Sequence, residues 1–192
     1  MKKIYAVILI FISTKAYSQN TFGVFGGLNL NLTNTGIYES IGSENYIGLH
    51  LGALYEYELT EKFSLRPKIV FSQQGDGTKT ELYGVFLPIS LDYKTTYLNL
   101  PIDLKYGNKF FVFTGPQIGL LINTKKDTAD FGDLNSNIDF GLNLGAGYEF
   151  NKIFIEFGIY QGLTTIFDYE RVDGVETKLK NSLLRISIGY KL

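Results

Sequence analysis

Hydrophobic and polar residues alternate along most of the chain after residue 19, with the period of two that is typical of β-strands. In the segment 139–150, for example, Phe140, Leu142 and Leu144 fall on one face, and Gly141 and Asn143 fall on the other. No segment after residue 19 keeps a helical period for three turns. The pattern predicts eight strands, at residues 21–32, 46–59, 63–73, 95–106, 110–122, 139–150, 153–163 and 183–192. The start of the fifth strand is apolar on both sides, so its facing stays open.

The predicted strands are long, and their connections alternate in length. Strands of about 10 or more residues cross a bilayer at a tilt, whereas most strands of soluble proteins have about 5 or 6 residues. Three connections are short, at 60–62, 107–109 and 151–152, and four are long, at 33–45, 74–94, 123–138 and 164–182. Outer-membrane barrels have this asymmetry, with short turns in the periplasm. We therefore expect an all-β fold, an eight-stranded antiparallel up-and-down transmembrane β-barrel.

Aromatic residues cluster at the end of this barrel that carries the short turns and the termini. They are Phe22, Tyr55, Tyr57, Phe63, Tyr106, Phe110, Tyr148, Phe150 and Tyr190. Aromatic residues favour strands in general, but that preference does not explain a cluster at one end. The cluster predicts the aromatic girdle of a membrane interface.

Composition agrees with strands that have one apolar and one polar face. The 192 residues include 21 glycines, 14 tyrosines and 15 phenylalanines but only 4 prolines, and the mean hydropathy of +0.03 is far below that of a helical membrane protein. The chain has no cysteine, which excludes disulfides, thiolate metal sites and cysteine nucleophiles. A net charge of −1 gives no basic field for nucleic acid, so no nucleic-acid partner is expected.

The first residues have the pattern of an export signal. Lys2 and Lys3 precede an apolar run at 4–12, and Ala16-Tyr17-Ser18 places small residues at the two positions that a signal peptidase recognises. We expect a signal peptide at 1–18 and the barrel domain at 19–192, located in the cell outer membrane. The alternative is a buried N-terminal helix or strand. No later stretch reaches the roughly 18 apolar residues of a membrane-spanning helix.

Several motifs resemble one family. The stretch Tyr97-Leu98-Asn99-Leu100-Pro101-Ile102 to Lys105-Tyr106, followed by 109–116 ending in Gly115-Pro116, resembles the outer-membrane β-barrel family of Bacteroidetes that includes PorT-like proteins. The glycine pattern at 141–149 and the terminal segment 186–190 also fit. The resemblance implies an outer-membrane location, carries over no catalytic residue and leaves activity open; PorT itself is tied to protein secretion.

Inward positions of the predicted strands hold equal numbers of opposite charges. The acids are Glu56, Glu58, Asp103, Glu149 and Glu156, and the bases are Arg66, Lys68, Lys105, Arg185 and Lys191. Unpaired charges in so narrow a space are costly, so we expect a paired network. Eight strands leave an interior that side chains fill, which predicts a closed lumen and no open pore.

Residue types with catalytic or metal-binding chemistry are few. The alternation predicts that His50, the only histidine, faces the lumen. One hypothesis is that it acts in catalysis with an acidic loop residue, and the preferred hypothesis is that it is a hydrogen-bonded lumen residue. Asp127, Asp130, Asp133, Asn135 and Asn137 share one loop, but their spacing does not match an EF-hand. The glycines at 141–147 precede no helix and are interpreted as close-packing positions. We expect no catalytic, cofactor or metal site.

The long loops carry a negative excess. Their acids are Glu39, Glu44, Asp76, Glu81, Asp92, Asp127, Asp130, Asp133, Asp168, Glu170, Asp173 and Glu176, and their bases are Lys79, Lys94, Lys125, Lys126, Arg171, Lys178 and Lys180, which leaves −5. This charge favours a cationic or protein partner at the loops, or only keeps the surface soluble.

The sequence as a whole favours a monomeric, non-enzymatic outer-membrane protein that contacts lipid and acts through its extracellular loops. Three alternatives remain: an accessory component of protein secretion, a soluble lipocalin-like carrier and a lipid-modifying enzyme active at the barrel rim. Long strands, and charges opposite the apolar face, argue against the carrier.

Overall fold

The structure, a computed structural model, describes residues 20–32, 46–80, 89–126, 136–170 and 176–192. These residues form the strands β1 (Thr21–Asn31), β2 (Ile47–Glu58), β3 (Phe63–Thr80), β4 (Ile89–Gly107), β5 (Phe110–Lys126), β6 (Ile138–Phe150), β7 (Ile153–Gly162), β8 (Phe167–Glu170), β9 (Glu176–Leu179) and β10 (Ser182–Lys191). All except β8 and β9 belong to one closed barrel of eight strands, in which every hydrogen-bonded neighbour is antiparallel. Pairing of β1 with β10 closes the barrel, so the predicted fold is confirmed.

Three of the predicted loops are strand over part of their length. The pairing of β3 with β4 continues to Thr80 and Ile89, and β5 continues to Lys126. In addition, β8 and β9 form a separate hairpin between β7 and β10. The segment 74–80 consists of polar residues and glycines, so it carries no alternation that the sequence pattern could reveal. The prediction of loops at 74–94, 123–138 and 164–182 was wrong over these stretches.

The short turns form at residues that accept the required backbone conformations. Gly107, at the end of β4, has φ +110°, and Asn151, in the turn between β6 and β7, has φ 54°. Glycine has no Cβ to clash at positive φ, and asparagine tolerates the left-handed region better than most residues. These two residues therefore allow tight turns where the predicted periplasmic end requires them.

The barrel is apolar outside and polar inside. Outward residues such as Leu51, Leu144 and Ile188 are at least 60% exposed, whereas inward residues such as Arg66 and Asn29 are fully buried. A soluble carrier has the reverse arrangement, and an outward apolar band is what a bilayer requires. Every predicted strand phase is confirmed. In β5, whose facing was open, Phe111, Phe113 and Gln117 point inward and Val112 and Ile118 point outward.

The aromatic residues at the short-turn end are neighbours on adjacent strands. The ring centroids of Phe22 and Tyr55 lie 4.8 Å apart, and those of Phe63 and Tyr106 lie 4.9 Å apart. Phe110 is the cross-strand partner of Tyr148. The girdle expected from the sequence is therefore present as a series of cross-strand pairs, a favourable arrangement in sheets.

The expected signal peptide at 1–18 lies outside the described residues, as do the segments 33–45, 81–88, 127–135 and 171–175. Among the described residues, no helix has the length and apolar character needed to cross a membrane.

Candidate functional site in the barrel lumen

The periplasmic half of the lumen holds a network of ion pairs that joins four bases to four acids. Arg66 pairs with Glu56 and Glu156, Lys68 with Asp103 and Glu156, and Lys105 and Lys191 each with Glu56 and Glu149. These side chains are at most 15% exposed. The paired network that the sequence predicted is therefore present, and each of these bases contacts two acids.

Strand order explains why these pairs close the lumen. The order of strands around the barrel is β1-β10-β7-β6-β5-β4-β3-β2, so β3 and β7 lie on opposite walls. Arg66 and Lys68 on β3 reach across to Glu156 on β7, at 2.6 Å and 3.0 Å. These side chains span the lumen at its full width, so the charges block the axis of the barrel.

Aromatic rings fill the space between these charges. The Arg66 guanidinium lies over the rings of Phe111 and Phe154, and the Lys68 ammonium lies over those of Phe25 and Phe113. A cation over a ring face gains electrostatic stabilisation, which is larger away from water. Ion pairs and cation–π contacts together offset the cost of burying the charges.

Inward glycines make room for these rings. A Cβ added at Gly52 would lie 2.7 Å from the ring of Phe25, and one at Gly145, Gly147 or Gly189 would strike the ring of Phe113, Phe111 or Phe154. Each glycine is the cross-strand partner of the residue that covers it. The sequence analysis identified two of these glycines, Gly145 and Gly147, as close-packing positions but missed the aromatic residue opposite each. Sequence spacing alone does not give the register that pairs them.

Two of the ten charged residues predicted to face the lumen, Glu58 and Arg185, lie outside this ion-pair network. Glu58 lies exposed at the end of β2 rather than buried in the lumen. Arg185 is inside the barrel, but it donates hydrogen bonds to the side-chain oxygens of Gln117 and Asn143, at 3.0 Å and 2.7 Å. Its guanidinium also lies over the ring of Tyr160. The expectation of a buried lumen position was therefore wrong for Glu58, and the hydrogen bonds of Arg185 are to amide oxygens rather than to carboxylates.

His50 links three strands through hydrogen bonds. Its Nδ1 lies 2.8 Å from Asn29 Oδ1, and its Nε2 lies 2.8 Å from Ser187 Oγ. Because Asn29 donates its Nδ2 to Ser72 Oγ and to the Gln73 carbonyl, its oxygen faces the imidazole. For a neutral imidazole, this orientation of Asn29 favours the tautomer in which Nδ1 donates to Asn29 and Nε2 accepts from Ser187. The bonds of His50 in the described structure are to a lumen asparagine and a lumen serine, as in the preferred hypothesis.

The chain Ser187, His50 and Asn29 has the same order as the nucleophile, base and orienting acceptor of a serine hydrolase. The space beside Ser187 decides what the arrangement can do. A cavity of about 30 Å³ is lined by Ser187 and His50 together with Lys68, Asp103 and Arg185. That volume takes one or two water molecules and not an acyl group. The geometry fits a hydrogen-bonded brace between β1, β2 and β10.

No group of three or more metal-ligating side chains is found in the part of the chain that the structure describes. In the loop of Asp127, Asp130, Asp133, Asn135 and Asn137, all but Asn137 lie outside the described residues.

A closed eight-stranded barrel with an apolar exterior, an aromatic girdle and a charged interior defines an outer-membrane β-barrel protein. The family model described as "Outer membrane protein beta-barrel domain" matches residues 17–168. The chain belongs to this family, and its location is the outer membrane.

A solved structure, that of Neisserial surface protein A, shows the same fold. It has 12% sequence identity and a TM-score of 0.56, over 89% of this chain and 97% of that chain. A major outer membrane protein from Thermus thermophilus is also similar, with 14% identity and a TM-score of 0.47 over 91% of this chain and 100% of that chain. No curated protein matches the sequence.

Proposed function

We propose that this protein is a non-enzymatic outer-membrane barrel whose function is carried by its extracellular loops, where it contacts a cationic partner. The observation that carries the proposal is the ion-paired lumen. Charges on opposite strands meet near the axis, for example Arg66 and Glu156 at 2.6 Å. A barrel filled in this way offers no passage for solutes. We therefore expect the extracellular loops, rather than the lumen, to contact other molecules.

Charge favours a cationic partner. The connecting segments 33–45, 81–88 and 127–135 contain six acids and no base: Glu39, Glu44, Glu81, Asp127, Asp130 and Asp133. Clustered charge of one sign attracts the opposite sign and raises association rates at low ionic strength. The contrast with the lumen, where acids and bases balance within the network, supports a binding role for the loops.

Binding of a synthetic decalysine peptide to the protein in nanodiscs tests this proposal. Replacing the six loop acids by Gln or Asn should weaken binding by about tenfold or more, and salt should weaken wild-type binding because it screens exposed charges. A control variant, Glu58→Gln with Glu61→Gln, removes acids from the opposite end and should bind as the wild type does. Equal binding by the loop variant and the wild type would contradict the proposal.

We propose an accessory role in protein secretion as a second candidate function. It is supported by the resemblance of the motif at 97–106 to that of PorT-like proteins. Deletion of the gene should then reduce the amount of exported protein in the medium, and unchanged secretion would exclude this role.

A further inference from the structure

Each of the three short turns ends in a lysine. Lys62 precedes Phe63 at the start of β3, Lys109 precedes Phe110 at the start of β5, and Lys152 precedes Ile153 at the start of β7. All three lysines are exposed. We name them the turn lysines.

The turn lysines are equivalent in register as well as in sequence. The carbonyl of Lys62 accepts a hydrogen bond from the amide of Gly107, that of Lys109 from Glu149, and that of Lys152 from Lys191. In each case the donor lies on the next strand around the barrel. The repeat places three ammonium groups at one height around the short-turn end, on alternate strands.

Their surroundings place the turn lysines at the level of lipid headgroups. Each adjoins the aromatic girdle, which marks the membrane interface. Phe63 pairs with Tyr106 beside Lys62, Phe110 pairs with Tyr148 beside Lys109, and the Lys152 ammonium lies 5.7 Å from the ring centroid of Tyr190. A lysine just beyond such a ring can lay its methylene chain along apolar surface and extend its charge to the headgroup.

The charges near the turn lysines are distributed unevenly. Two exposed acids lie near Lys62: Glu58 is the last residue of β2, and Glu61 is in the turn between β2 and β3. The other two turns, Gly107-Asn108-Lys109 and Asn151-Lys152, contain no acid. Lys109 and Lys152 therefore present positive charge without a carboxylate in their own turn.

We propose that the turn lysines form a phosphate-binding collar that selects anionic phospholipids in the periplasmic leaflet around the barrel. The ligand group is the lipid phosphodiester, together with the net negative charge that distinguishes an anionic from a zwitterionic headgroup. A basic residue close to an anionic membrane surface contributes about 1 kcal/mol, equivalent to about fivefold in association. Three separate sites favour three lipids bound side by side rather than one lipid bound by all the lysines.

Electron spin resonance of spin-labelled lipids tests the collar. The intact protein is placed in phosphatidylcholine nanodiscs that contain a trace of spin-labelled phosphatidylglycerol or spin-labelled phosphatidylcholine. The relative association constant of the two labels with the barrel is measured. The wild type should prefer phosphatidylglycerol, and the triple variant Lys62→Gln, Lys109→Gln and Lys152→Gln should lower that preference by about threefold or more.

A matched variant separates the collar from net charge. Lys94→Gln, Lys125→Gln and Lys126→Gln remove the same number of charges from the opposite end of β4 and β5, and should keep most of the preference. A gel shift without boiling checks that each variant is folded. An equal loss in both variants, or an unchanged preference in the turn-lysine variant, would overturn the collar. Neither result depends on whether the loops bind decalysine.

Discussion

Arg66 on β3 and Glu156 on β7 meet across the full width of the lumen, with Nη2 2.6 Å from Oε1 and both side chains at most 5% exposed. Glu156 also receives the Lys68 ammonium at 3.0 Å. One carboxylate thus bridges two cations from the opposite wall, and Glu56 and Asp103 supply the second negative charge. Burying an ion pair costs desolvation of both partners, so the arrangement is stable only while every charge keeps its partner.

Removing this carboxylate should strongly destabilise the barrel. Glu156→Gln leaves Arg66 and Lys68 buried with one acid fewer, and breaking a buried pair from one side costs about 3–5 kcal/mol. The chain has no tryptophan, so urea unfolding in detergent micelles is followed by tyrosine fluorescence. Glu61→Gln, at an exposed turn position, should change the free energy of unfolding by less than about 0.5 kcal/mol. Equal stability of the two variants would show that the pair contributes little.

The tautomer of His50 is a second prediction. Because Asn29 Oδ1 can only accept, the neutral imidazole should carry its proton on Nδ1 and leave Nε2 to accept from Ser187. His50 is the one histidine of the chain, so a ¹⁵N–¹H correlation spectrum of the imidazole reports it without ambiguity. Ser187→Ala should leave the proton on Nδ1. A spectrum of the Nε2–H form would mean that the direction of this hydrogen-bond chain is reversed.

Sensitivity to charge on the outer face should depend on depth. Leu100→Arg places a cation on the lipid-facing side of β4 near the middle of the bilayer and should cost about 2–4 kcal/mol. Ile153→Arg, on the same face but next to the short turn at 151–152, should cost about 0–1 kcal/mol because the arginine reaches the interface. Folding titrations into lipid vesicles measure both values. If Ile153→Arg is the more damaging change, the assigned membrane level is wrong.

Much of this fold can be predicted from the sequence because the bilayer imposes a strict alternation on every residue that crosses it. Leu142 and Leu144 must face lipid, so Asn143 between them must face the lumen. Beyond the membrane this constraint ends. The extension of β3 at 74–80 shows no alternation, whereas the extension of β4 at 89–94 does alternate between apolar and polar residues, and the sequence analysis missed it. The sequence analysis therefore predicted the membrane-crossing part of every barrel strand and missed the outer parts of β3, β4 and β5.

The charged site could be predicted only in part. The alternation of apolar and polar residues correctly predicted that Arg66, Lys68 and Glu156 face the lumen. Which acid meets which base depends on register and on which strands stand opposite, and neither is encoded in local spacing. For the same reason nothing in the sequence indicated that Asn29 on β1 and Ser187 on β10 would bind the two nitrogens of His50.

Electrical conductance of the purified wild-type protein in planar bilayers tests the closed, ion-paired lumen most directly. With Arg66, Lys68 and Glu156 joined across the axis, the protein should insert without producing stable current steps above background. The variant Arg66→Ala, Lys68→Ala and Arg185→Ala, if it still folds, should leak, because it removes side chains that occupy the lumen. Well-defined, reproducible current steps from the wild type would contradict the account, since the charges would then line a channel instead of closing one.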